Sequence, residues 1–113
     1  METHRLVLPE DLNQFGFLFG GRLLRWVDEA SWIAASLDFP HCRFVTVGMD
    51  DVSFKKQINQ GDIIVIQSEV EKKGNTSVGY RVRVYKGNDR QSSLFSTLVT
   101  FVNVDESGVK TPC

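Results

Sequence analysis

Residues 22–37 read RLLRWVDEASWIAASL, and the spacing of their apolar side chains is the strongest indication of how the chain folds. Apolar residues recur every three or four positions, as in an α-helix with one face in a core. Pro40 then ends the helix. Trp26 and Trp32 lie on different sides of the stripe and widen it beyond what one sheet covers, so a second copy of the chain is expected to cover the rest. The stripe consists of Leu23, Leu24, Val27, Ala30, Ile33, Ala34 and Leu37.

After Pro40 the apolar period changes to two, which predicts β-strands. The clearest case is the alternation of Val78, Tyr80, Val82 and Val84 with polar or small residues. Before the helix, the apolar group at residues 6–8 is ended by Pro9 and predicts a short first strand within residues 1–12. The four later strands are predicted at residues 44–54, 63–71, 76–85 and 94–104.

The segments between the later strands are short and rich in turn-forming residues, so consecutive strands are expected to pair antiparallel. The chain is therefore predicted to be one α+β domain over residues 1–113. One long central helix is wrapped by a curved antiparallel sheet of about five strands. The free edge of such a sheet favours dimerisation edge to edge. The tail from Glu106 onward is expected to be loose.

Composition excludes several classes of protein. A net charge of −1 and a charged fraction of 24% give no support for nucleic-acid binding. No apolar run approaches the roughly 20 residues of a membrane span, and residues 1–8 lack the apolar core of a signal peptide. Cys42 and Cys113 are far apart and give no reason to expect a disulfide or a metal site. A reducing, cytosolic location is the simplest expectation.

The loop before the helix, NQFGFLFGG at residues 13–21, combines three phenylalanines with three glycines. Amides in a first helical turn lack intrahelical acceptors, so those at Gly20 and Gly21 can stabilise an oxyanion. The alternative is that these glycines only permit a tight turn. Asn13 carries an amide that can position a water molecule, although asparagine in a loop is often only a turn residue.

Asp28 lies two turns into the helix, on the flank of the apolar stripe. A carboxylate there can act as a general base towards water or attack a carbonyl group itself. The alternative interpretation is that Asp28 is only a solvated surface charge. Glu29 points about 100° further round the helix, away from that flank.

Other chemistry has less support. His41 and Cys42 are neighbours in sequence, but nucleophile and base usually meet through the fold. Motifs for serine hydrolases, zinc proteases and nucleotide loops are absent. Basic residues at 22, 25, 55–56 and 72–73 can bind phosphates, or they can simply solvate element ends.

Three stretches together resemble the hotdog-fold acyl-CoA thioesterases: NQFGFLFGGRLLRWVDEA at residues 13–30, FVTVGMDDVSF at 44–54 and QGD at 60–62. The pattern is most similar to the cytosolic acyl-CoA hydrolases, which include YciA-like enzymes and brain acyl-CoA hydrolase. The resemblance implies hydrolysis of acyl-CoA to a carboxylic acid and coenzyme A, with no separate cofactor and no metal. It also implies a homodimer at minimum, and in that family trimers of dimers.

The same resemblance implies roles for particular residues. Asp28 would be the catalytic carboxylate, Asn13 from the partner subunit would place the water or the substrate, and the Gly20 amide would polarise the thioester carbonyl. The implied substrate-binding residues are Gly21, Phe54, Lys55, Lys56, Gly74, Thr76 and Ser77.

Two positions depart from the family pattern. Phe17 stands where a small or polar residue is expected and can narrow the acyl entrance, whereas Gln57 replaces a proline and is expected to affect only a turn. Phe17 keeps open a module that binds acyl-CoA without hydrolysing it. A dehydratase acting on acyl carrier protein would need a histidine at the site, and His4 and His41 lie outside the loop and helix.

Overall fold

One 19-residue helix and five strands form the chain in the computed structural model, which describes residues 1–113. The α+β class predicted from the sequence is confirmed. The helix does not combine the length and apolar character that crossing a membrane would require. In chain order the elements are β1 (Glu2–Leu6), a short 3-10 turn (Pro9–Asp11), α1 (Gly20–Asp38), β2 (Phe44–Phe54), β3 (Ile63–Lys73), β4 (Ser77–Lys86) and β5 (Phe95–Asn103).

All strand pairs are antiparallel, in the order β1-β3-β4-β5-β2. Consecutive pairing is confirmed for β3 with β4 and for β4 with β5, but it is wrong for β2 with β3. The reason lies in residues 55–62, which do not form a hairpin turn. The amides of Lys55 and Lys56 bind the Leu94 carbonyl, and the Ile58 carbonyl accepts from the Leu18 amide, so this segment crosses the end of the sheet. β2 is therefore an edge strand beside β5.

The first strand lies within residues 1–12, as predicted, but only Leu6 of the apolar group at residues 6–8 belongs to it. Pairing with β3 sets it at Glu2–Leu6, with Glu2 opposite Gln67 and Leu6 opposite Ile63. Val7 follows the strand and is buried, and its amide binds the Asp62 carbonyl. Long-range pairing, not the local apolar group, determines where the strand lies.

The core lies between α1 and the concave face of the sheet. Val27 and Ala34 are almost fully buried and contribute to the same apolar cluster as Tyr80, Phe95 and Phe101. Part of the predicted stripe remains exposed at Ile33 and Leu37, together with Trp32. This exposed part is the area for which the sequence predicts cover from a second copy.

Two expectations about the end of the chain are wrong. The tail is not loose, because the Asn103 side-chain amide donates to the carbonyls of Thr111 (3.0 Å) and Pro112 (3.1 Å). Cys113 is thereby carried to Cys42, 71 positions earlier in the sequence, and the two form a disulfide. Sequence separation gave no indication of this contact, because the folded-back tail creates it.

Candidate active site

Asn13 organises the loop that leads into α1. Its Oδ1 accepts hydrogen bonds from the amides of Phe15 (2.9 Å) and Phe17 (3.1 Å), and its own amide donates to the Phe17 carbonyl at 2.7 Å. The side-chain NH2 group donates to no atom of the chain. Asn13 is therefore a turn residue through its oxygen, and its nitrogen remains available to a substrate or a water molecule.

Asp11 anchors the start of this loop through its side chain and its backbone. This residue was not identified from the sequence. Its buried carboxylate accepts from the Leu8 amide at 2.9 Å and lies 3.5 Å from Nε of Arg22 on α1. Its backbone carbonyl accepts from the Phe19 amide at 2.9 Å. The start of the loop is thus tied to the start of the helix.

At the helix start, the amides of Gly20 and Gly21 have no acceptor within the chain. The first amides to be bonded are those of Arg22 and Leu23, both to the Phe19 carbonyl. A Cβ added at Gly20 would meet the Phe54 ring at 3.5 Å, an ordinary contact distance. Both amides are free donors, so the interpretation of this helix start as an oxyanion site stays a prediction.

A cavity of about 480 Å³ opens beside Gly20. It brings together five of the predicted site residues, and Phe17 borders it, as expected from its position in the loop. Gln57 also lines the cavity, so the expectation that it affects only a turn is wrong. The full lining is Asn13, Phe15, Phe17, Leu18, Gly20, Leu23, Phe54, Lys55, Lys56, Gln57 and Ile58.

Lys55 and Lys56 are held at the cavity rim by hydroxyl groups. The ammonium group of Lys55 donates to Ser93 Oγ and that of Lys56 to Ser92 Oγ, each at 2.9 Å. Neither lysine forms an ion pair with a carboxylate of the chain. Their charges therefore remain available to an anionic ligand.

Asp28 does not line this cavity. It is half-buried on the flank of α1, and its Oδ1 accepts a hydrogen bond of 2.7 Å from the Thr46 hydroxyl on β2. The carboxylate therefore points along the exposed edge of the sheet, where its partner Thr46 is exposed as well. Glu29 instead forms an exposed ion pair with Arg5 at 3.0 Å, in agreement with its predicted direction. Thr46 was not identified from the sequence, since nothing local marks it as a partner of a residue 18 positions earlier.

Gly20 and Asp28 of one chain cannot contact the same carbonyl group. Eight helical residues at about 1.5 Å each separate them by roughly 12 Å along the axis. Gly20 lies beside Phe54 at the end of β2, whereas Asp28 lies beside Thr46 near its start. One chain therefore holds two of its predicted site residues at opposite ends of its edge strand.

The predicted substrate-binding residues Gly74, Thr76 and Ser77 lie elsewhere. They form the β3–β4 turn, where the Gly74 amide binds the Ser77 carbonyl at 2.8 Å and the Thr76 carbonyl accepts from Asn103 at the end of β5. Phe54 pairs with Phe95 at the start of β5, so the length of a strand, about 27 Å, separates this turn from the cavity. Gly21 is exposed beside Gly20 and does not line the cavity.

Comparison with known proteins identifies the family. The model of the thioesterase superfamily matches residues 15–93, and the chain belongs to this superfamily. Its sequence is 37% identical over 112 residues to the uncharacterized acyl-CoA thioester hydrolase YkhA of Bacillus subtilis, covering 94% of this chain and 63% of that protein. It is 32% identical over 80 residues to the acyl-CoA thioester hydrolase YciA of Escherichia coli, covering 71% of this chain and 60% of YciA. The chain thus spans less than two thirds of these relatives.

Comparison with solved structures gives the same family assignment. A hexameric hotdog-fold thioesterase of Campylobacter jejuni superposes with a TM-score of 0.85 at 39% identity, covering 97% of this chain and 86% of that one. An acyl-CoA hydrolase from Staphylococcus aureus, in complex with butyryl coenzyme A, coenzyme A and coenzyme A disulfide, superposes with a TM-score of 0.84 at 30% identity, covering 99% and 67%. The hotdog fold expected from the sequence resemblance is confirmed.

Proposed function

We propose that this chain is an acyl-CoA thioesterase, which hydrolyses acyl-CoA to a free carboxylic acid and coenzyme A. The observation that carries the proposal is the Asp28–Thr46 pair at the sheet edge. A half-buried carboxylate with one oxygen held and the other free is suited to accept a proton from water. Membership of the thioesterase superfamily and the names of the relatives support the same reaction.

The chemistry follows from how a thioester reacts. A thiolate leaves readily, so the barrier lies in delivering an oxygen nucleophile and stabilising the tetrahedral oxyanion. Asp28 activates the water, and the free amide of Gly20 binds the oxyanion. Asn13 helps to position the water or the thioester through its unpaired NH2 group. Coenzyme A enters as part of the substrate, and no separate cofactor takes part.

The working unit we propose is at least a homodimer. β2 is an edge strand whose Val45 and Val47 are exposed. Antiparallel pairing of β2 with the same strand of a second copy would bring the Asp28 end of one chain to the Gly20 end of the other. This pairing would complete the site that one chain leaves divided and would place the β3–β4 turn of one chain nearer the cavity of the other. The related thioesterases from Campylobacter jejuni and Yersinia pestis are hexameric, which supports further assembly into trimers of dimers.

We also propose a cytoplasmic location, supported by the resemblance to cytosolic acyl-CoA hydrolases. In that reducing compartment Cys42 and Cys113 would be held as thiols for much of the time. Cell fractionation with the intact protein tests the location.

A second candidate is a module that binds acyl-CoA without hydrolysing it. Phe17 favours it, because this half-buried ring borders the cavity beside the Gly20 amide. A panel of acyl-CoA esters of increasing chain length, with thiol release followed against time, separates the two candidates. Binding without thiol release for every ester would support the module and contradict the thioesterase.

Asp28→Asn is the direct test of the catalytic assignment. The amide keeps the size of the side chain but cannot act as a base, so we expect turnover to fall at least about a hundredfold with folding intact. The matched control is Glu29→Gln, one position along the same helix, which should retain near wild-type turnover because Glu29 only forms an exposed ion pair. Wild-type turnover in Asp28→Asn would rule out the role of Asp28.

A further inference from the structure

His41, Cys42 and Cys113 form a compact group away from the cavity that contains Gly20. One imidazole nitrogen and the two Sγ atoms all lie within 4.8 Å of one another. His41 is exposed, and its ring forms no hydrogen bond within the chain. Both cysteines are half-buried against the edge of the core. The proposed thioesterase mechanism uses none of these side chains.

The position of Cys113 does not depend on the disulfide alone. Its amide binds the Asn75 carbonyl at 3.2 Å, and the Thr111 amide binds the Asn103 carbonyl at 3.0 Å. The Asn103 side chain adds two more hydrogen bonds to the tail. When the disulfide is reduced, these bonds keep the two thiols close to each other and to His41.

Two thiolates and one imidazole are the soft sulfur and nitrogen ligands that Zn²⁺ prefers. Ligand bonds of about 2.0–2.3 Å place the ligand atoms of a tetrahedral site roughly 3.5 Å apart. The three groups reach that spacing by small movements of exposed or half-exposed side chains.

We propose that His41, Cys42 and Cys113 form a redox-controlled site for a soft divalent cation of the Zn²⁺ type. Reduction of the disulfide by a dithiol yields two cysteine thiols and the oxidised dithiol. Binding of Zn²⁺ then displaces one proton from each thiol, and water fills the fourth position. A two-electron oxidant such as diamide removes one electron from each thiolate, re-forms the S–S bond and releases Zn²⁺. The tail is held on the body of the protein in both states.

The test uses the full chain, reduced with a phosphine and then freed of metal. Titration with Co²⁺ should produce the thiolate-to-cobalt absorption of a tetrahedral site at one ion per chain, and Zn²⁺ should displace that ion. Cys42→Ser and Cys113→Ser should each abolish the absorption, and His41→Ala should weaken Zn²⁺ binding by at least about tenfold. His4→Ala is the matched control, since His4 lies on β1 opposite Val65, and it should bind as the wild type does.

A second measurement needs no variant. Zn²⁺ should raise the melting temperature of the reduced chain and leave that of the oxidised chain unchanged, because the disulfide occupies both sulfur atoms. Diamide added to the zinc-loaded chain should release one Zn²⁺ per disulfide formed. The proposal is overturned if the reduced wild type binds no more metal than Cys113→Ser, or if His41→Ala binds Zn²⁺ as tightly as the wild type. This result is independent of thioesterase activity, which can be present or absent in either case.

Discussion

At the scale of single residues, Asp28 and Thr46 illustrate how a common side chain becomes a candidate catalyst. An aspartate on a helix flank is usually a solvated charge. Here the Thr46 hydroxyl holds one oxygen at 2.7 Å and aims the carboxylate at the sheet edge. The sequence alone showed that residue 28 is an aspartate and that it lies on the flank of the helix, eight positions after Gly20. The sequence did not reveal Thr46 as the residue that orients Asp28, because this contact joins a helix to a strand that lies 18 positions later.

Thr46→Val tests this orienting role. Valine has nearly the shape of threonine but cannot donate to Asp28, and a hydrogen bond to a charged group contributes about 1.5–3 kcal/mol. We expect kcat to fall about ten- to a hundredfold in an acyl-CoA hydrolysis assay. Thr46→Ser restores a hydroxyl and should recover most of the lost rate. Unchanged kcat in Thr46→Val would show that Asp28 does not depend on this bond.

Tyr80 supports a prediction about pH. Its side chain is fully buried, and its hydroxyl donates to Asp38 Oδ2 at 2.5 Å. Burial, and then the hydrogen bond and the charge of Asp38, raise the Tyr80 pKa far above the ordinary value of 10.0. The unfolded chain therefore releases this proton near pH 10 while the folded chain keeps it. This contribution to stability is complete below pH 10 and declines as the pH rises above it.

The free energy of unfolding should accordingly fall as the pH is raised from about 9 to 11, and Tyr80→Phe should show a shallower fall over that range. Denaturant titrations at several pH values measure both slopes. Equal slopes for the two proteins would contradict the assignment to Tyr80.

At the scale of elements, local periodicity located most of the secondary structure. The predicted helix at 22–37 is Gly20–Asp38, and the predicted strand at 44–54 is Phe44–Phe54. The loop into α1 was recognised by its glycines and phenylalanines, but its anchor at Asp11 was not, because two successive acidic residues after Pro9 do not show which of them is buried.

Asp11→Ala tests what that anchor contributes. The substitution leaves the Leu8 amide without its acceptor and removes the partner of Arg22, so we expect a loss of about 1–3 kcal/mol in the free energy of unfolding. Glu10→Ala, the exposed neighbour, should stay within about 0.5 kcal/mol of the wild type. Urea titrations at equal protein concentration compare the three proteins, and equal loss in both variants would refute the anchor.

At the scale of the whole molecule, the proposed site is divided between the two ends of β2, so the proposal makes activity depend on the assembly of two chains. Because roughly 12 Å separates Gly20 from Asp28 within one chain, each site of the proposed dimer would take these two residues from different chains. Mixing two variants, each changed on a different side of this site, should therefore restore activity that each variant alone has lost.

The complementing pair is Asp28→Asn with Asn13→Ala. In a mixed dimer one site carries both changes and the other carries neither. Random mixing makes half of the dimers mixed with one intact site each, which gives about a quarter of wild-type activity after co-refolding. No recovery above the separate variants would contradict a shared site. Recovery of activity in a mixture whose subunits have not exchanged would also contradict a shared site.

The helix, the strands and the loop with its candidate donors could be predicted from the order of the residues, because hydrophobic period, proline and glycine act over a few neighbouring residues. Three features became visible only in the folded chain: β2 lies at the sheet edge, Thr46 holds Asp28, and the tail brings Cys113 to Cys42. Each of these joins residues far apart in the chain, and such contacts are set by how the whole core packs, which no local pattern encodes.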